Sequence, residues 1–351
     1  MENFAGTGRT RGFDGLETTV QASQILERGG KLGKRVAVAR HEREAASREF
    51  ALRQNEVQAQ VVSAYVELVA AQARLSLAAE PLALARETVQ AATARVGSGA
   101  GSPAESARAR AALAAAQGDY ARAEAGVANA RAALAATWGG SPADVTRVEG
   151  KLTVPADLPS ADTFLAKLST HNRLELQQAI IASRRAALQL EQAQTLQDVR
   201  VGGGVRFLRE GSDAAFVAGF SVPIPFRNQN QGNIRAARET LAGAEQSMSV
   251  VEHELRVAFA MAWQDLQTAS TVARNLRTDA LPATQEAHDV VRHAYAQGEL
   301  PLIDVLDAQR AMTALRREIL DAEVACATAL VRIEALTDST FPITTELLSA
   351  R

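Results

Sequence analysis

From Lys34 to Val96 apolar residues recur three and four apart, with Val57, Val61, Ala64, Tyr65, Leu68 and Leu75 marking one face of an α-helix. No glycine interrupts the run, and Pro81 is its sole proline. At 1.5 Å per residue such a helix would be on the order of 90 Å long, too long to lie inside one compact domain. Pro81 is expected to bend the helix without ending it, because the pattern resumes directly at Leu82. A second long run spans 233–297, and shorter ones span 103–138, 172–198 and 302–337. Elsewhere the period falls to two. Leu16, Thr18, Val20 and Ala22 alternate with Glu17, Thr19, Gln21 and Ser23, and Val199, Val201, Val205 and Phe207 with Arg200, Gly202, Gly204 and Arg206. Phe216, Ala218, Phe220, Val222, Ile224 and Phe226 share a face opposed by Val217, Gly219, Ser221, Pro223 and Pro225. A fourth extended piece is expected at Glu2 to Thr7.

The breaks between helices are as patterned as the helices. Gly97 to Ser102 ends the first rod, and Ser102-Pro103-Ala104-Glu105 restarts it with the signature of a helix N-terminus. Gly298 to Gln309, GELPLIDVLDAQ, repeats the device and places Asp304 and Asp307 in the first turn of the next helix. A shift of 199 sets Gly99, Ser102, Glu105 and Ala109 opposite Gly298, Pro301, Asp304 and Ala308. Shifts of 198 and 200 pair Tyr65 and Leu68 with Trp263 and Leu266, and Val20 and Arg35 with Phe220 and Arg235. The chain reads as two copies of strand, long helix, tip and short helix.

This predicts a mainly α protein with short β, built of long antiparallel helical hairpins and two β-hairpins under an internal two-fold repeat. The expected division is a first strand pair at 1–33, a helical hairpin at 34–138, an irregular connector at 139–171, a short helix at 172–198, a second strand pair at 199–232, a second hairpin at 233–337 and a tail at 338–351. The two short helices of the first unit add up to about the length of its long helix, so they are expected to stack beside it. The helix at 302–337 has no such partner downstream, so the missing helix, most of one strand and any signal peptide are expected to precede Met1.

Composition narrows the chemistry. Aromatics make up only 4% of the chain, which suits close helix packing through small residues. With 38 basic and 40 acidic residues there is no single-signed field, and nucleic acid is excluded as a partner. One cysteine, Cys326, forbids an internal disulfide and a thiolate zinc site and reads as a small buried residue. His288 and His293 are five apart, off the four-residue spacing that stacks ligands on a helix face. There is no serine-histidine-aspartate grouping, phosphate-binding glycine loop or HExxH motif, so no catalytic role and no cofactor is expected. The residues MENFAGTGRTRG lack the parts of a secretory signal, and no stretch looks apolar enough for a spanning helix.

The segments ENFAGTG (2–8), LETTVQASQILERGGK (16–31), FSVPIPFRNQNQGNIRAA (220–237) and Tyr295-x-x-Gly298 with IDVLDA (303–308), in this order and spacing, resemble the TolC-type outer-membrane efflux family, nearest its heavy-metal and cation branch. The resemblance covers the whole chain. It implies a homotrimer in which each protomer gives four strands to a shared transmembrane β-barrel and its helices to a periplasmic α-barrel. The implied partners are a periplasmic adaptor protein, an inner-membrane efflux pump and outer-membrane lipid. Open strand edges are not tolerated in lipid, which agrees with closure by several copies. The family's paired tip aspartates map onto Asp304 and Asp307, whose three copies would form acidic rings, while Asp304 would also complement its helix N-terminus, as Glu105 would at the first tip. Glu105 and Tyr295 are further candidates at the aperture, and Gly99, Ser102, Gly298 and Pro301 at the adaptor contact. Some members carry a tip arginine that ties the closed state; Leu300 stands there in this chain. The function this resemblance implies is a passive exit duct of a tripartite efflux pump for metal cations or small toxic compounds, with a protein-secretion duct of the same architecture and a soluble coiled-coil scaffold as the alternatives.

Overall fold

The computed structural model describes residues 16–155, 160–209 and 213–337, together with Pro342 and Thr344. The extended piece expected at Glu2 to Thr7, most of the 209–213 turn and most of the 338–351 tail lie outside the described residues. Contacts divide the chain into two units, residues 1–49 with 173–251 and residues 50–172 with 252–351.

In the first unit, β1 (Glu17–Leu26), β2 (Val199–Leu208) and β3 (Asp213–Ser221) form an antiparallel sheet in that order. The register sets Val20 opposite Val205 and Val205 opposite Phe216, and likewise Gln24, Val201 and Phe220. Apart from Thr18 and Gln24 of β1, one face is therefore apolar. The other carries Thr19, Gln21, Arg206, Gly204 and Ser221, and Arg206 pairs there with Glu17 at 3.3 Å. Phe216 is 93% exposed, so the apolar face is not a core. Gly204 lets β1 and β2 approach: a Cβ on it would lie 2.2 Å from the Val20 carbonyl oxygen. The described neighbour of β1 is β2. One expectation changes here: β3 stops at Ser221 instead of reaching Phe226, because Pro223 and Pro225 have no N–H for a ladder.

The unit also holds α4 (Asn172–Ala193) and the first turns of α1 (Lys31–Gly97) and α5 (Gln231–Asn275). α1 begins three residues earlier than the pattern indicated, with Gly33 inside it, and α4 ends five residues before Asp198. The Lys31 ammonium donates to Asp198 at 2.7 Å and the Arg28 backbone N–H to the same oxygen at 3.1 Å, tying β1, α1 and β2 at one end of the sheet.

The second unit is built from the remainder of α1 and α5 with α2 (Pro103–Ala136), α3 (Ala161–Leu168), α6 (Leu281–Ala296) and α7 (Leu302–Leu336). Leu68, Val127 and Leu134 join α1 to α2, and Val66, Val69, Leu320 and Val331 join α1 to α7. Phe164 of α3 meets Phe259 and Trp263 of α5 at ring-centre distances of 6.5 and 6.0 Å, over Leu266, Leu330 and Ile333. The connector lies along α1 because the Gln72 amide donates to the Val148 carbonyl at 3.0 Å and accepts from its N–H at 3.4 Å, while the Tyr65 hydroxyl donates to the Glu149 carbonyl. Cys326 is fully buried with its Sγ 3.5 Å from the Ser270 hydroxyl, and burial raises its thiol pKa above the ordinary value. An 18-residue window of α1 is apolar enough to cross a membrane by length and composition, contrary to the sequence reading; α1 residues 66, 68, 69, 70 and 71 are nonetheless buried in the packing of this unit.

α1 passes Pro81 as continuous α-helix. The second long helix is not continuous. Leu276–Ala280 form a π turn between α5 and α6, closed by the Leu281 N–H donating to the Leu276 carbonyl. Pro282, one residue on, removes a backbone donor and crowds the carbonyl of Thr278, which accounts for the widening. Arg277 of that turn pairs with Glu323 of α7, which is only 4% exposed. Burial raises the Glu323 pKa, against the weaker opposing pulls of Arg277 and Lys151.

Candidate functional site

The two helical tips lie in one unit and pack on each other. α1 ends through Gly99 at φ +74°, a left-handed conformation that glycine adopts without steric cost, and the Ala100 and Gly101 N–H groups return to the Arg95 carbonyl at 2.9 Å. α2 then starts with a full capping box: the Ser102 hydroxyl accepts from the Ala104 N–H at 3.2 Å and the Glu105 carboxylate from the Ser102 N–H at 3.4 Å. The second tip turns through Gly298 at φ +83°, and the Glu299 N–H donates to the Ala294 carbonyl at 2.9 Å. Pro301, in an extended conformation, opens α7 without a side-chain cap.

Ala92 and Ala109 of the first tip are buried against Leu302 and Leu306 of the second, with Tyr295 packed at the edge. Small residues on one side and leucines on the other let the two turns sit close together. The Arg95 guanidinium lies over the Tyr295 ring, 5.8 Å from its centre, an arrangement of the cation–π kind. Tyr295 is thus engaged between tips, whereas the Glu105 carboxylate is used inside its own turn. Asp304 is half-buried in the first turn of α7, and its side chain has no partner among the described residues. Asp307 is exposed and pairs with Arg310 at 3.0 Å.

Deeper along the same helices, Arg317 of α7 donates to Asp119 of α2 at 2.7 Å, and Asp119 also meets Arg122. The Arg317 hydrogen bond is the main reason that the Asp119 carboxyl is held below the usual carboxylate range. Beside it a cavity of about 400 Å³ is floored by alanines and edged by Asp119, Arg310 and Arg317. Sequence reading missed Arg95, Asp119, Arg310 and Arg317. The three-residue spacing of Asp307 and Arg310 was available as a signal, and the 198-residue repeat shift relates Asp119 to Arg317 without showing that they touch. Among the described residues no group of three or more histidine, cysteine, aspartate or glutamate side chains is placed to hold a metal ion.

The chain superposes on the outer membrane protein VceC of Vibrio cholerae with a TM-score of 0.75 at 16% identity, over 92% of this chain and 86% of that one, which establishes the fold. The outer membrane efflux protein family matches residues 3–140 and 165–338, and the chain belongs to that family. It is an outer-membrane efflux channel protein with its helices in the periplasm. Among its relatives in Cupriavidus metallidurans, the cobalt-zinc-cadmium resistance protein CzcC is 28% identical over 295 residues, covering 84% of this chain and 71% of its own. The nickel and cobalt resistance protein CnrC is 32% identical over 271 residues, covering 77% and 63%. The chain therefore spans about two thirds of the length of these relatives.

Proposed function

We propose that the chain is the exit duct of a tripartite pump for divalent metal cations. It acts as a homotrimer whose strands close one barrel in outer-membrane lipid, and it is passive and without catalysis. An inner-membrane pump supplies the energy, and a periplasmic adaptor grips the hairpin tips at Gly99, Ser102, Gly298 and Pro301. The observation that carries this reading is the sheet: its apolar face is exposed, its opposite face is polar and glycine-rich, and neither β1 nor β3 has a second neighbour among the described residues. Such a sheet needs lipid on one side, water on the other and further strands at both edges. Metal as cargo is supported by the names of CzcC and CnrC.

Within this reading the cation filter is formed at the second tip. Asp304 has no ion-pair partner among the described residues, so three copies around an axis would concentrate cations at the aperture. Asp307 contributes less, because Arg310 offsets it. In planar bilayers the Asp304→Asn variant should lose most of the cation preference and of the block by divalent ions, and Asp307→Asn a smaller part. Conductance and selectivity unchanged in the double variant would remove the filter from this tip.

A further inference from the structure

Antiparallel pairing brings the C-terminal end of β1, the start of β2 and the end of β3 to one edge of the sheet, since Leu26 faces Val199 and Arg200 faces Ser221. At this edge the strands pass into α1, α4 and α5. The internal repeat makes the charges there comparable position by position. At a shift of 200, Glu27 corresponds to Arg227 and Arg35 to Arg235. In the first half Arg35 binds both oxygens of Glu27 at 2.8 Å, so the pair is neutral. In the second half both positions are arginine. Arg227 and Arg235 are exposed, and neither guanidinium has a partner among the described residues.

Arg28 and Lys34 add two more cations whose side chains have no partner among the described residues, while Lys31 is neutralised by Asp198. Glu239, one turn beyond Arg235, leaves the balance positive. Three of the four cations also have an exposed apolar neighbour: Leu26 beside Arg28, Leu32 beside Lys34, and Phe226, 89% exposed, directly before Arg227. Water alone gives no reason to expose these groups together. A layer of phosphates above hydrocarbon does, because the apolar side chains enter the acyl region while the cations stay at headgroup depth.

We propose that this end of the sheet is a docking surface for the anionic phospholipid headgroups of the periplasmic leaflet, with Arg227 and Arg235 as its principal contacts. The inference rests on the outer-membrane channel reading above, which puts the helix-bearing end of the strands at that leaflet. The guanidinium forks suit bidentate phosphate contacts. The repeat itself supplies the test variant: Arg227→Glu restores the acid of the first half and should close an ion pair with Arg235.

The test is native mass spectrometry of the detergent-purified protein with phosphatidylglycerol or phosphatidylcholine added, paired with conductance in phosphatidylcholine bilayers. The wild type should retain phosphatidylglycerol over phosphatidylcholine by at least about 25-fold. At about fivefold per cation, Arg227→Gln/Arg235→Gln should weaken that retention roughly 25-fold. Arg227→Glu should abolish the preference, the double lysine variant should keep most of it, and Arg43→Gln on the exposed flank of α1 should leave it unchanged. Equal retention of both lipids by the wild type, or a preference that survives Arg227→Glu, overturns the docking surface while conductance keeps the channel reading intact. A protein that neither inserts nor conducts in any bilayer overturns both.

Discussion

Each half of the chain threads a proline through its long helix, and the two helices answer differently. α1 carries Pro81 within unbroken α-helix from Lys31 to Gly97. The second helix opens into the π turn Leu276–Ala280 just ahead of Pro282. Both rings remove a backbone donor and press on the carbonyl four residues earlier. Next to Pro81 the acid is Glu80, which meets Arg316 at 2.5 Å on the surface. Next to the π turn the acid is Glu323, enclosed by the protein, and the widened turn carries the arginine that reaches it. The comparison teaches that a proline is tolerated in either geometry, and that the extra width appears where a buried carboxylate lies within reach of a basic side chain.

Thermal unfolding in matched detergent tests this in descending order. Pro81→Ala restores a missing helix bond and should stabilise the protein by up to about 3 kcal/mol, whereas Pro282→Ala should change it by less than about 1 kcal/mol, since the turn already accommodates the ring. Equal gains at both sites would show that the π turn relieves nothing. Arg277→Met leaves the Glu323 carboxylate enclosed without its cation and should cost about 2 kcal/mol, less than a fully buried pair because Arg277 is half-exposed. Most of that loss should return in Arg277→Met/Glu323→Leu. A double variant no better than the single would refute the pairing.

The carboxylates Glu323 and Asp119 should also give opposite pH signatures. Glu323 holds its proton more tightly folded than unfolded, so the stability it contributes is present below the ordinary carboxylate pKa and is lost as pH rises through its raised value. Asp119 contributes stability above the ordinary aspartate pKa, and that is lost as pH falls through its lowered value. Glu323→Gln should flatten the melting temperature's dependence on pH on the upper side of that range, and Asp119→Asn on the lower. Curves parallel to wild type would contradict the assignment. The smallest effect belongs to Asp307→Asn, whose exposed pair with Arg310 should be worth a few tenths of a kcal/mol.

What the sequence made legible follows from range. Glycine at 99 and 298, the Ser102 box and the alternation around Val20, Val205 and Phe216 are local signals, and they correspond to the turns, cap and strands found. The end of β3 was misread although Pro223 and Pro225 were visible, because the alternation of Val222, Ile224 and Phe226 continued past the point where backbone donors ran out. Arg277 and Glu323 are separated by 46 positions that no periodicity links, whereas Arg317 and Asp119 are 198 apart, a shift of the internal repeat, which marks them as equivalent positions but not as partners. Asp304 and Asp307 were both read as ring-forming acids, and Arg310 separates them in the structure by pairing with Asp307.

Cys326, sealed beside Ser270 and kept in its thiol form by its surroundings, has a practical consequence. Maleimide added to the folded protein should find nothing to modify, so the native chain already serves as an unlabelled background. A cysteine substituted for Asp307 or Phe226 would then report on its own position in living cells, with no need first to replace the native one.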